Sequence, residues 1–226
     1  MVTRTDTSVA AVAPFAILVS LLWLTSGCAW LAPQHEHAGF AYKDLPVATG
    51  TADAGDGHSV TFKGTPLALE GPGLKVGGQL PSVKVSRHDL SVTDLAEGRG
   101  KVRLISVVPS LDTKVCEQQT HYLSEKNGGL DQSVQLITIS VDTPFAQSRF
   151  SDEAAIKNVM FLSDYRGGGF GKASGLFLPG PHLLARAVLV VDKDNVVRYL
   201  QVTPELAQMP DMDAAFQAAR ATAGGR

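Results

Sequence analysis

Four runs of β-branched and aliphatic residues constrain this chain most: VRLISVV (Val102 to Val108), VQLITISV (Val134 to Val141), VMFL (Val159 to Leu162) and RAVLVVD (Arg186 to Asp192). A strand with one wet face alternates apolar and polar side chains. A nearly unbroken apolar run therefore implies a strand buried on both faces, in a sheet covered by helices. Helical stretches fall between and after the runs. Val115 to Lys126 stops at Asn127-Gly128-Gly129, Pro144 to Ala155 opens with proline in a first-turn position, and Asp211 to Ala223 closes the chain. Asp192-Lys193-Asp194-Asn195 separates the fourth run from VVRYLQV, making those two a hairpin. Upstream, SVTFKGTPLALEG reads as two short strands around Lys63-Gly64-Thr65, and Pro81 to Val85 as a further extended segment.

That order of elements is an α/β sandwich of thioredoxin-like type with an added N-terminal β-hairpin. With 226 residues and a formal charge of -2, the chain supports one sizeable core and offers no electrostatic reason for a nucleic-acid partner. One folded domain is expected over 59–226, with no internal repeat.

The first 27 residues read differently. Val9 to Leu24 is uncharged and mostly apolar, but its 16 residues contain Pro14 and fall short of the roughly 20 that a spanning helix needs. An export signal fits better. Thr25-Ser26-Gly27-Cys28 resembles the bacterial lipobox, which implies cleavage before Cys28 and acylation of its sulfur. The pattern departs from that motif at Thr25 and in an n-region where Asp6 offsets Arg4. An ordinary secretory signal or an uncleaved anchor would equally export the domain. Residues 28–58 show no apolar period and read as a lipidated N-terminus and flexible linker, about 30 Å from end to end. His35, Glu36, His37 and His58 lack the spacing of a metal site.

The chain has two cysteines, and the second closes PSLDTKVC, Pro109 to Cys116. A strand, a proline, a short loop and then a helix starting near Asp112 or Thr113 put Cys116 in the first helical turn. Free backbone N–H groups and the positive end of the dipole favour an anion there. The thiolate is the nucleophilic form of cysteine. A helix start alone makes a reactive cysteine, not an enzyme, because the gain in ionised fraction is far smaller than a catalytic acceleration.

Pro109, Thr113 and Cys116 form P-x-x-x-T-x-x-C, which resembles the peroxiredoxin active-site loop. Ser140-Val141-Asp142 followed by PFAQSRF (Pro144 to Phe150), VTFKGTPL and ARAVLVVD are similar to the bacterial thiol peroxidase branch of that family, from about Val60 to Ala221. The resemblance implies a thiol-dependent peroxidase acting on hydrogen peroxide and alkyl hydroperoxides. In it Cys116 is the peroxidatic cysteine, Thr113 orients peroxide and thiolate, Arg186 is the catalytic arginine, and Pro109 shields the sulfur. It also implies a possible homodimer and no metal, haem or flavin.

This chain departs from the family where a resolving cysteine commonly follows PFAQSRF, because Ser151 stands there. A hydroxyl cannot condense with a sulfenic acid to give a disulfide, and an acylated Cys28 has no free thiol. Recycling is therefore expected from an external thiol, either a small molecule or a thioredoxin-like protein. The rival reading is a membrane-tethered peroxide sensor or binding module without efficient turnover. GGGFGKASG (Gly167 to Gly175) fails as a phosphate loop because Arg166 and Ala173 occupy required positions; a turn leading into a short helix is expected instead. No G-x-S-x-G, H-E-x-x-H or C-x-x-C is present. His121 falls off the sulfur's face of its helix, and His182 falls in a loop.

Overall fold

The computed structural model describes residues 39–225. The expected export signal, Cys28 and residues 29–38 lie outside that range. In chain order the elements are β1 (Ser59–Phe62), β2 (Thr65–Ala68), β3 (Lys84–Ser86), β4 (Val92–Asp94), β5 (Arg103–Val107), α1 (Lys114–Glu125), β6 (Gln135–Ser140), α2 (Pro144–Glu153) and β7 (Met160–Ser163). There follow α3 (Gly169–Ser174), β8 (Phe177–Leu178), β9 (Leu183–Leu184), β10 (Ala187–Val191), β11 (Val197–Val202) and α4 (Met212–Gly224).

The main sheet has seven strands in the order β11-β10-β5-β6-β7-β3-β4. β5, β6 and β7 pair in parallel, while the pairings β5–β10, β10–β11, β7–β3 and β3–β4 are antiparallel. Its centre is buried on both faces, as the unbroken apolar runs predict. Leu104, Leu136, Val188 and Val190 pack with Leu123 of α1 and Phe216 of α4 on one face. On the other, Ile105, Val107, Ile139 and Leu189 pack with Phe170 of α3 and with Val60 and Leu69 from the N-terminal hairpin region.

That hairpin pairs Phe62 with Thr65 across Lys63 and Gly64, whose φ angles of 51° and 82° give the left-handed two-residue turn that matches strand twist. GGGFGKASG folds into a turn and α3. The buried carboxylate of Asp164 accepts the N–H groups of Phe170 and Gly171, each at 2.9 Å, at the start of α3. Burial pushes that carboxyl up, against the lowering effect of the N–H groups of Gly171, Phe170 and Gly169. Gly175 caps α3 at φ 73°, where a Cβ would lie 2.5 Å from Gly73 Cα, so close backbone packing requires glycine.

One expectation is corrected. The linker expected over 28–58 is not free from residue 39 onward but lies along the domain. Ala48 N donates to Met209 O and Met209 N to Pro46 O, both at 2.8 Å; Ala52 N donates to Val202 O at 2.8 Å and Gly55 N to Gly175 O at 2.9 Å. Gln201 adds bonds to the carbonyls of Ala48 and Gly50 at 3.0 and 3.1 Å. Irregular backbone bonds hold this segment, together with isolated buried residues such as Ala48 and Ala54, so no hydrophobic period marks it. The folded body therefore begins before residue 59. The edge strand β4 and the short pair β8–β9 are further elements that the sequence did not announce.

Candidate active site

β5 delivers the chain to a buried Val108 and Pro109 at the end of the sheet, and a short loop then turns it into α1. Asp142, just past the end of β6, fixes that loop: its carboxylate accepts from Ser110 Oγ and from Leu111 N, both at 2.8 Å. Thr113 takes the N-cap position in extended conformation, with φ -110° and ψ 143°. A hydroxyl there ordinarily accepts an N–H of the first turn. This one makes no such bond and instead donates to Cys116 Sγ at 2.8 Å.

Cys116 is the third residue of α1 and is fully buried, in a cluster with Val108 and Leu111 against which Phe150 and Phe161 pack. Arg186, immediately before β10, reaches the same sulfur with Nη2 at 3.3 Å. Its other nitrogens are committed: Nη1 donates to Gln119 Oε1 at 2.7 Å and Nε to Leu206 O at 2.9 Å. Gln119 is anchored in turn by Nε2 to Ser106 Oγ at 2.8 Å. Among the described residues Arg186 has no carboxylate partner. The fixed guanidinium, the Thr113 hydroxyl and the start of α1 thus all present positive charge or a donor to one sulfur, an arrangement that complements a thiolate.

The structure therefore brings together Cys116, Thr113 and Arg186 and places Pro109 buried on the same loop. Ser151 stands apart on α2, where its hydroxyl donates to Ser148 O at 2.9 Å. A cleft of about 750 Å³ runs between α2 and the starts of β6 and β7, with Ser151 on its wall and Cys116 not among its lining residues. His121 is more enclosed than a surface histidine, with Nδ1 2.7 Å from Glu125 Oε1 and its ring stacked on Phe40. His182 sits in the β8–β9 turn, edge-on to Phe177. Among the described residues no group of three or more His, Cys, Asp or Glu side chains is placed to hold a metal ion.

Sequence reasoning missed Gln119, Ser106 and Asp142. Gln119 carried a usable signal, because it follows Cys116 by three residues and so shares its helix face. Asp142 lies in the Ser140-Val141-Asp142 run of the motif, which by itself gives it no role, and Ser106 carries no signal; the fold brings both to the site.

The architecture is that of a thioredoxin-fold protein with, among the described residues, one buried free thiol at the start of a helix. The chain belongs to the redoxin family, whose model matches residues 75–216. Within it the chain falls in the bacterial thiol peroxidase branch of the peroxiredoxins. It is 45% identical over 163 residues to a thiol peroxidase of Halalkalibacterium halodurans, covering 72% of this chain and 98% of that protein. A thiol peroxidase of Staphylococcus aureus is 43% identical over 159 residues, covering 70% and 96% of the two chains. A peroxiredoxin-like protein from Aquifex aeolicus, of known crystal structure, is 34% identical with a TM-score of 0.66, covering 73% of this chain and 96% of that one.

Proposed function

We propose that this chain reduces hydrogen peroxide and alkyl hydroperoxides with Cys116 as peroxidatic nucleophile, and that an external thiol returns it to the reduced form. The observation that carries the reading is the convergence of Thr113 Oγ1 at 2.8 Å and Arg186 Nη2 at 3.3 Å on the one buried sulfur. The Cys116 thiolate attacks the terminal peroxide oxygen. As the S–O bond forms, the O–O bond breaks, and the departing alkoxide or hydroxide takes up the proton that left the thiol. Sulfur is oxidised to sulfenic acid and the peroxide reduced to alcohol or water. Arg186 and Thr113 donate toward the charge as it moves from sulfur to the leaving oxygen; one aimed donor of this kind contributes about 3 kcal/mol to a barrier.

Ser151 offers no sulfur for the second step. A thiolate from outside attacks the sulfenic sulfur, the S–O bond breaks, and hydroxide leaves as water with the thiol's proton. A second thiol displaces the resulting mixed disulfide and releases Cys116. In the net reaction one peroxide and two thiols give alcohol or water, a further water and one disulfide. The test is peroxide consumption by wild type and Cys116→Ser across several thiol donors. Many equivalents should be consumed by wild type and none by the variant; consumption that stops at one equivalent with every donor would make the protein a sensor.

The same reading places the domain outside the cytoplasm, in the periplasm or at the cell exterior, held to a bacterial membrane by acyl groups on Cys28. The lipobox-like TSGC after an apolar run supports it. Assembly as a homodimer is proposed from the family resemblance alone.

A further inference from the structure

The mechanism leaves one part of the described chain without a task. Residues 39–48 precede both the redoxin match, which begins at residue 75, and the motif resemblance that starts near Val60. Residues 40–43 run as a strap along α1, and Pro46 and Ala48 then pair with Met209. Lys43 N donates to Gln118 Oε1 at 2.8 Å, and Gln118 Nε2 donates back to Lys43 O at 2.9 Å. Phe40 stacks on His121 with ring centroids 4.0 Å apart and planes 13° from parallel. Tyr42 donates to Glu125 Oε2 at 2.8 Å and meets the Tyr122 ring edge-on at 6.0 Å. Gln118, His121, Tyr122 and Glu125 share one face of the helix, so the strap grips its successive turns. The first grip falls two residues after Cys116. From His121 the contact continues to Phe150, with centroids 6.3 Å apart, and Phe150 packs against the cluster that encloses Cys116.

The reacting sulfur is fully buried. A peroxide is a few atoms across, whereas a thiol reductant is larger and must bring its sulfur in line with the S–O bond it breaks. A buried sulfenic acid does not present that line of approach. The start of α1 must therefore open after oxidation and rewind before the next peroxide, and opening that reaches Gln118 needs the strap to let go.

We propose that Phe40 and Lys43 are positioning residues of the resolving step, holding α1 wound beyond Cys116 and so favouring the peroxide-reactive form over the thiol-reactive one. This inference rests on the peroxidase reading above. With no resolving cysteine in the chain, a clamp that delays thiol access lengthens the life of the sulfenic acid. A second peroxide then converts more of it to sulfinic acid, itself becoming water or alcohol. The strap thereby sets the peroxide level at which the protein inactivates.

The test compares the full chain with Phe40→Ala/Gln118→Ala and with the milder Tyr42→Phe. Three quantities are read: the single-turnover rate of Cys116 oxidation by peroxide, the rate at which excess thiol reduces the sulfenic form, and hydrogen exchange of α1 amides in the reduced protein. Loss of two hydrogen bonds and a stacked pair should speed the thiol step about tenfold in the double variant. Tyr42→Phe should give a smaller change in the same direction. The peroxide step should stay within about twofold of wild type, and exchange should rise in α1 but not in β5 or β10. An unchanged thiol step with unchanged α1 exchange overturns the proposal, as does exchange that rises equally across the sheet. Should wild type fail to react with peroxide at Cys116, the peroxidase reading falls instead, and α1 exchange still decides whether the strap holds the helix.

Discussion

Thr113 shows how the site competes with local helix stability at a single residue. An N-cap hydroxyl that accepts an N–H is worth about 1 kcal/mol to its helix, and here the hydroxyl is turned to the sulfur instead. Arg186 shows the same for charge. It is a buried cation whose acceptors are the Cys116 sulfur, the neutral Gln119 amide and the Leu206 carbonyl, with no carboxylate among them. Arg186→Lys keeps the charge but loses the fork that reaches Gln119 and sulfur together, so Cys116 oxidation should slow by about 100- to 1,000-fold. Thr113→Val should slow it by about tenfold or more, with Thr113→Ser close to wild type. Stopped-flow oxidation by hydrogen peroxide reads both; an Arg186→Lys rate equal to wild type would refute the assigned role. Cys116, Thr113 and Arg186 were legible because a spacing and a motif carry them. Ser106 was not, because only the alignment of β5 beneath α1 shows that its hydroxyl supports Gln119.

Among the elements, those with a period or a strong stop could be read and those made by their neighbours could not. The runs that became β5, β6 and β10 announce burial on both faces, and Asn127-Gly128-Gly129 marks the end of α1. β8 and β9 have two residues each, too few for any periodicity, and form only because Phe177 and Leu184 pair across a turn on the α3 face. The strap escaped for the same reason. Its contacts with α1 combine backbone groups with scattered aromatic rings, and composition alone reads as a linker. α2 permits a test of how the pair α1 and α2 works together. In Ser151→Cys, peroxide should convert the sulfenic acid to an intrachain disulfide as α1 opens, since a thiol would then stand where the family places its resolving cysteine. Intact mass should fall by two hydrogens relative to the reduced variant, and sulfinic acid should become scarce. Persistence of sulfenic and sulfinic products in Ser151→Cys would mean that the two helices do not bring these positions together.

For the molecule as a whole, the packed strap changes what the proposed anchor implies. A free linker through residue 58 would set the domain about 30 Å from the lipid. Eleven peptide units join Cys28 to Gly39, the first described residue, and fully extended they would reach no more than about 40 Å. Any acyl anchor would then lie one short connection from the strap that grips the cysteine-bearing helix. Among the described residues no helix is long and apolar enough to cross a membrane. Each buried CH₂ of an acyl chain contributes about 0.8 kcal/mol, and two or more chains hold a protein through washing, whereas one binds reversibly. Expressed with its N-terminus in a bacterium that processes lipoproteins, the wild type should sediment with membranes in high salt and enter the detergent phase, and Cys28→Ser should lose acylation at that position. If the signal is then cleaved as an ordinary secretory one, the variant becomes soluble and keeps its hydrogen peroxide activity, because Cys28 has no part in the chemistry at Cys116. Equal membrane retention of Cys28→Ser, without acyl label on either protein, would show that the apolar run itself is the anchor and that no lipid is attached.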